Sequence, residues 1–281
     1  MQLQNLATLC LAMARQRLGQ HFLANLSWRK KILETLPRGE NQTWIEIGAG
    51  HGEMTELLAS PDRRVIAIEA DPQLAENLKA RVRDDPEKWL GVEVVSADVL
   101  KLDLGALAGG RFRVYGNLPY YITSPILHRL FRFADRIESI HIVVQWEVAA
   151  RIAARPGRRE YGYLSAACRF YARPEIVLRI PPGAFRPSPR VTSALLRMDL
   201  PGERAALAVS DEKRFLEFVL ACFAQKRKTL RNNLRAVASD DRITAVLADA
   251  RLRPDARAEQ LSLAQFAALF GSLAADATPR A

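Results

Sequence analysis

The sequence is short of cysteine, histidine and long apolar runs. Its three cysteines, Cys10, Cys168 and Cys222, lie far apart. They form neither a CxxC pair nor a zinc-type spacing, which points to buried thiols in a reducing, cytoplasmic setting. The four histidines make no HExxH or similar ligand pair, so no metal site is expected. No stretch approaches the roughly 18 apolar residues of a membrane span. The apolar Leu9-Cys10-Leu11-Ala12-Met13-Ala14 is too short for a secretory signal and has no basic residue before it. Residues 1–14 are read as an extension outside the folded part, with Met13 as an alternative start. Glycine and proline, 15 each, are too few for a collagen-like chain.

What is present is ordinary for a folded chain. Of 281 residues, 49% are hydrophobic and 26% charged. The excess is basic: 41 Lys and Arg against 31 Asp and Glu leave a net charge of +10. That balance favours a polyanionic partner, nucleic acid or an acidic membrane surface, although basic surfaces also serve plain solubility.

From Thr43 onward short β-type runs alternate with helical ones. Thr43–Ile47, Arg64–Ile68, Val92–Val95, Phe112–Tyr115 and Ile140–Val144 read as strands. Glu53–Ala59, Pro72–Val82 and Pro125–Phe133 read as helices. Such alternation predicts βαβ units and a mostly parallel sheet covered on both faces. Beyond Glu147 the stretch holding Arg151, Arg155, Arg158 and Arg159 reads as loop, because Pro156-Gly157 interrupts it. Glu175–Ile180 and Thr192–Met198 read as further strands, joined by a proline-rich extended segment. Pro201-Gly202 marks a boundary, and only helical periodicity follows. The expected organisation is a Rossmann-like α/β catalytic domain over 15–200 and a smaller all-helical domain over 201–281.

Three strand ends carry chemistry. Glu46-Ile47-Gly48-Ala49-Gly50-His51-Gly52 follows the first strand. Its spacing is GxGxG rather than GxGxxG, and no Lys-Ser/Thr follows, so a ligand without phosphate fits better than a dinucleotide. Gly48 and Gly50 let the backbone approach that ligand. Glu69 ends the second strand, about 20 residues on, where a carboxylate can accept both hydroxyls of a ribose. Asp98 ends the third and can accept from an adenine amino group. Each alone is also consistent with turn chemistry or a solvated acid; together they point to an adenosine ligand such as S-adenosylmethionine.

Asn117-Leu118-Pro119-Tyr120 follows the fourth strand. The exocyclic amine of adenine is a poor nucleophile, since its lone pair is delocalised into the ring. The Asn117 side-chain oxygen and the Leu118 carbonyl can each accept one of its N–H bonds, favouring a tetrahedral nitrogen with an available lone pair. Pro119 stiffens the turn. Tyr120 can stack on a base that has left its helix, with Phe185 covering the other face. Further along, Gln225 to Arg235 is read as a helix with Arg227, Arg231 and Arg235 on one face and Lys228 beside it, suited to a phosphate backbone or to plain solvation.

With these residues on view, the sequence resembles the small-subunit rRNA adenine N6,N6-dimethyltransferases (the kasugamycin-sensitivity dimethyladenosine transferases). The resemblance runs from about Arg15 to Phe270. Its other marks are Leu18-Gly19-Gln20-His21-Phe22-Leu23, Gln145, Glu147-Val148-Ala149, Pro156-Gly157, Tyr161-Gly162, Phe185-Arg186-Pro187-Ser188-Pro189-Arg190-Val191, Lys226 to Leu234 and Ala258-Glu259-Gln260-Leu261-Ser262. It implies that Gln20, His21 and Leu23 border the methionine end of S-adenosylmethionine, with Gly48, Gly50, Glu69, Asp98 and Asn117 completing the site. It implies a monomeric enzyme that dimethylates two adjacent adenosines in the 3′-terminal hairpin of 16S rRNA on the immature small subunit. Arg151, Arg155, Arg158, Lys226, Arg227, Lys228 and Arg231 are the expected RNA contacts. Trp146, where relatives often carry Lys, and Asn25, where they often carry Asp, are departures. Two alternatives stay in view: a large-subunit rRNA adenine methyltransferase of the macrolide-resistance type, and a non-catalytic RNA-binding or transcription factor on the same fold. The intact Asn117 and Glu69 argue against the second.

Overall fold

A computed structural model of the chain describes residues 21–39, 42–119 and 121–274. The extension at 1–14 and Cys10 lie outside the described residues. The chain divides into two compact units, one of Met1–Ala149 with Glu175–Asp199, the other of Ala150–Pro174 with Leu200–Ala281.

The first unit is built on a seven-stranded sheet, in the order β4 (Val92–Ser96), β3 (Arg63–Glu69), β2 (Gln42–Ile47), β5 (Phe112–Asn117), β6 (Ile137–Gln145), β9 (Ser193–Asp199) and β7 (Arg173–Ile180). Strands β4, β3, β2, β5 and β6 run parallel, and β9 pairs antiparallel with β6. A small antiparallel pair, β1 (Phe22–Leu23) with β8 (Phe185–Arg186), lies apart from it. The helices are α1 (Leu26–Thr35), α2 (Thr55–Leu58), α3 (Pro72–Asp84), α4 (Leu104–Ala108), α5 (Thr123–Phe131) and the start of α6 (Trp146–Ala153).

The central strands are continuous apolar runs because both faces are covered. Ile45, Ile66 and Ile142 have no exposed surface, and burial of each such side chain contributes about 1.5–3 kcal/mol. Helix α3 starts where Asp71 Oδ1 accepts from the backbone N–H of Gln73 and Leu74 at 2.9 and 3.3 Å, with Pro72 in the first turn. Leu74, Ala75 and Leu78 form its buried face, and Arg81 and Arg83 occupy its last turn, where cations complement the helix dipole. The chain moves outward from β2 through β3 to β4, then returns to the other side of β2 as β5. That reversal opens a crevice at the carboxyl ends of β2 and β5.

The second unit is helical: the end of α6, then α7 (Tyr163–Tyr171), α8 (Arg204–Leu207), α9 (Glu212–Cys222), α10 (Leu230–Leu234), α11 (Asp240–Asp249) and α12 (Leu263–Ala274). Two sequence expectations change here. Residues 150–174 were expected within a domain spanning 15–200, with Arg151 to Arg159 in a loop. They belong to the second unit instead, as the second half of α6, a loop over 154–162 that holds Arg155, Arg158 and Arg159 as read, and all of α7; Tyr161, Ala166 and Phe170 join Phe215, Val219 and Phe266 in one apolar core. Phe170 and Phe215 stack with ring centres 5.3 Å apart. The expected helix from Gln225 to Arg235 is also corrected. Residues 223–229 form a turn, and only Leu230–Leu234 is helical. The cause is Asn233, whose Nδ2 donates to the carbonyls of Cys222 and Gln225 at 2.7 and 3.3 Å while its Oδ1 accepts from Gln225 N–H. Arg227 and Lys228 therefore do not share a helix face with Arg231.

Cys168 and Cys222 are buried, and burial pushes both thiols above their ordinary range, which leaves them unreactive. Among the described residues no helix is long and apolar enough to cross a membrane, and no group of three or more His, Cys, Asp or Glu side chains could hold a metal.

Candidate functional site

The crevice is a cavity of about 450 Å³ lined by residues of the first unit. His21, just before β1, and Phe22 on it border the cavity, with Gly48 and Gly50 from the loop after β2, and Glu69 and Asp71 from the end of β3. Asp98 comes from beyond β4, and Asn117, Leu118 and Pro119 from the end of β5. The structure thus brings together six of the expected cofactor residues: His21, Gly48, Gly50, Glu69, Asp98 and Asn117.

The glycine loop is held in place by backbone bonds. The N–H groups of Gly48 and Ala49 both donate to Ile68 O, at 2.8 and 3.2 Å. Gly50 has φ +58°, and a Cβ there would sit 2.9 Å from the Phe22 ring, so neither the conformation nor the space admits a side chain. The carboxylate of Glu69 clamps the loop: Oε2 accepts from Gly50 N–H and Oε1 from Asp71 N–H, each at 2.8 Å. Each oxygen keeps a further lone pair for a ligand hydroxyl. Asp98 Oδ1 accepts from Leu100 N–H at 3.0 Å, which fixes that carboxylate at the cavity wall.

Asn117 is oriented by a bond the sequence does not reveal. Its Nδ2 donates to the backbone carbonyl of His21 at 2.8 Å, so Oδ1 is left to act as the acceptor. Leu118 N–H donates to Val143 O at 3.1 Å, and Pro119 O accepts from Ile122 N–H at 3.2 Å, closing a rigid turn. A Cβ at Gly116 would meet the Leu118 side chain at 2.8 Å and Ile47 O at 3.0 Å, so this turn also needs its glycine.

Several expected residues fall elsewhere. Gln20 and Tyr120 lie outside the described residues. Leu23 and Phe185 do not face the cavity. They pair with each other across β1 and β8 and are buried in the core with Ile32, Trp44 and Tyr115. Phe185, expected to cover a base, has no exposed surface. The role of this strand pair is to carry His21 and Phe22 to the cavity rim. Phe22, Tyr121 and the apolar Ile68, Val99, Ile122 and Ile126 are among the lining residues that sequence reasoning passed over. Phe22 stacks on His51 with ring centres 4.7 Å apart, and Tyr121 is 60% exposed at the mouth. Arg151, Arg155, Arg158, Lys226, Arg227 and Lys228 are exposed on the second unit. Arg231 is half-buried and lies 3.7 Å from Asp240.

Beneath the loop, Glu46 is 3% exposed and sits opposite Tyr115 on β5. Burial raises its carboxyl to about 8, with Glu53 and Glu69 adding to the effect and the Thr55 hydroxyl opposing it. It is protonated at neutral pH, which limits the negative charge under the site.

The mostly parallel open sheet, with a glycine-loop cavity at its switch point, is the architecture of a Rossmann-like α/β domain, and the comparisons with known proteins make it that of a methyltransferase. The chain belongs to the ribosomal RNA adenine dimethylase family, whose model matches residues 12–275. It is 45% identical over 262 residues to ribosomal RNA small subunit methyltransferase A of Acidobacterium capsulatum, covering 92% of this chain and 91% of that protein. The protein of the same name from Koribacter versatilis is 39% identical over 273 residues, covering 92% and 94%. Among solved structures, a dimethyladenosine transferase from Plasmodium falciparum superposes with TM-score 0.71 at 22% identity, covering 90% of this chain and 98% of that one. The 23S rRNA methyltransferase ErmE superposes with TM-score 0.67 at 27% identity, covering 90% and 99%.

Proposed function

We propose that the chain dimethylates the N6 amines of two adjacent adenosines in the 3′-terminal hairpin of 16S rRNA, using S-adenosylmethionine, during assembly of the small ribosomal subunit in the cytoplasm. The observation that carries this reading is the Asn117 amide, held by the His21 carbonyl at 2.8 Å with its oxygen available at the cavity.

The cavity suits this methyl donor. Its described lining holds three carboxylates, Glu69, Asp71 and Asp98, and no Lys or Arg, which disfavours a phosphate and favours a cationic ligand. Ile47, Ile68, Val99 and Ile126 supply an apolar wall for an adenine ring. Glu69 would hold the ribose hydroxyls and Asp98 the adenine amine; His21 would border the methionine end. The donor supplies an electrophilic methyl group on sulfonium.

The protein's part is placement and electrostatics. Asn117 Oδ1 and the Leu118 carbonyl accept the two N–H bonds of the target amine, which draws its lone pair out of conjugation and aims it at the methyl carbon. Both acceptors are neutral amide oxygens and too weakly basic to remove a proton beforehand. The proton therefore leaves to water after the N–C bond has formed. The exposed Tyr121, lining the cavity, is an aromatic group placed to stack on the extruded base, the role the sequence reading gave to Tyr120. The exposed basic residues of the second unit would follow the RNA backbone, and the enzyme would act as a monomer.

The test is methyl transfer from labelled S-adenosylmethionine to unmethylated small subunits and, separately, to large subunits, with the product mapped by mass spectrometry. Dimethyladenosine at two neighbouring positions of 16S rRNA is the expected result. Transfer to 23S rRNA alone would favour the activity named for ErmE, and tight RNA binding without transfer would favour a non-catalytic factor.

A further inference from the structure

We propose a second ligand site, for a phosphate group of the RNA backbone, at the opposite end of the same sheet. It rests on rRNA being the substrate. A cleft at the amino ends of β2, β5 and β6 is lined by Arg38, Gln42, Arg111, Arg113 and Glu138. Gln42 is the first residue of β2 and pairs with Arg63, the first residue of β3; Trp44 pairs with Arg113 on β5. In a parallel register, Gln42, Trp44, Arg63 and Arg113 project from one face.

Two features make this more than a solvated basic surface. The first is uncompensated charge. Glu138 alone serves two guanidinium groups, lying 3.4 Å from Arg111 Nε and 2.7 Å from Arg113 Nη2. Among the described residues Arg38 and Arg63 have no ion pair. Arg63 is held below its ordinary pKa by burial and by Arg113 and Arg38, against a lesser opposing effect of Asp62. A bound anion would relieve that repulsion.

The second feature is a preset donor. Gln42 is 8% exposed, and its Oε1 accepts from the Trp44 indole N–H at 3.0 Å. This fixes the amide, so that Nε2, with its two N–H donors, lies on the side of Gly39, where a Cβ would come within 2.5 Å of it. Guanidinium forks beside a neutral, preoriented amide fit the tetrahedral oxygens of a phosphate. The cofactor cavity has the opposite character and lies at the carboxyl ends of β2, β3 and β5, so the two sites are separate.

The test compares the full-length chain with its Arg38→Ala/Arg63→Ala variant; the exposed single change Arg38→Glu serves if the double variant folds poorly. Binding to protein-free small-subunit rRNA is measured across a salt series. We expect about a tenfold loss of affinity and a log K against log salt slope shallower by about one, as for the loss of roughly one phosphate contact. Cofactor affinity and methyl transfer at saturating RNA stay unchanged. In parallel, thermal stabilisation by inorganic phosphate is followed in both proteins. Unchanged RNA affinity and slope, with phosphate stabilisation lost, overturns the RNA assignment in favour of a free anion. No change in either overturns the site. Failure of the wild-type chain to bind rRNA at all would instead defeat the reading on which the proposal rests, while the phosphate measurement still tests the cleft.

Discussion

The two ends of the parallel strands β2, β3 and β5 share one backbone and carry opposite chemistry. At the carboxyl ends the cavity presents Glu69, Asp71 and Asp98 with no described basic side chain. At the amino ends the cleft presents Arg38, Arg111 and Arg113 beside Arg63, with Glu138 and Asp62 as the described acids. Topology makes the carboxyl ends a ligand site, because the loops that leave them diverge at β2 and β5. Charge then decides which ligand. The acidic end suits a cation over a phosphate, and the basic end the reverse. A basic enzyme can thus hold a cationic donor and a polyanionic substrate without placing either against a like charge.

This contrast can be broken at one end at a time. The largest effect is expected from Asn117→Ala, which removes the acceptor and the bond to His21 O. Turnover should fall roughly 10²-fold or more, as for loss of a preorganised polar group, with rRNA binding little changed; a kcat close to wild type would sink the assigned role. Next comes Glu69→Ala. It frees the Gly50 and Asp71 N–H groups and removes the carboxylate proposed to hold the ribose. Cofactor Kd by calorimetry should rise roughly 10- to 100-fold, the equivalent of hydrogen bonds to a charged group. Phosphate stabilisation at the amino end should persist.

A third change probes the floor of the acidic end. Glu46 has its carboxyl raised from 4.5 to about 8. Below pH 4.5 both folded and unfolded states are protonated, so the group has no effect on stability. As pH rises from 4.5 towards 8 the unfolded chain releases a proton that the folded one keeps, so stability falls. Glu46→Gln should remove that slope. Urea midpoints at pH 5 and pH 8 should show the variant gaining on wild type at the higher pH, by an amount on the order of a few kcal/mol. Parallel curves for the two proteins would refute a neutral buried carboxyl. The smallest effect lies on the second unit. Arg227→Ala should weaken rRNA binding severalfold and reduce its salt dependence. Arg231→Ala should do less, because Arg231 already lies against Asp240 at 3.7 Å. Equal losses would show that the Asp240 contact does not hold Arg231 back from RNA.

Much of the site was legible along the chain because each part is local. Gly48 and Gly50 sit where a strand turns into a loop, Glu69 ends a strand, Asp98 follows one by two residues, and Asn117-Leu118-Pro119 is a turn whose chemistry can be read off three residues. Leu23 and Phe185 show where local reading stops. Both lie in motif stretches, yet their pairing with each other buries them and hands the rim to His21 and Phe22. The Gln225–Arg235 stretch has the composition of a basic helix. The bonds from Asn233 to Cys222 and Gln225 turn it into a loop and a single helical turn. The α7 segment was hidden in another way. Its apolar face includes Ala166, Cys168 and Phe170, but an arginine-rich turn precedes it and masks the change of period.

The sequence by itself determined the alternation of strands and helices, the caps such as Asp71-Pro72, the glycine loop and the excess of positive charge. These depend on periodicity and on bonds spanning a few residues. Only the tertiary structure decided that Asn117 Nδ2 meets His21 O, that Arg63 and Arg113 share a face with Gln42, and that residues 150–174 join the C-terminal helices. Those facts depend on strand register and on the packing of segments far apart in the chain, and no local preference encodes them.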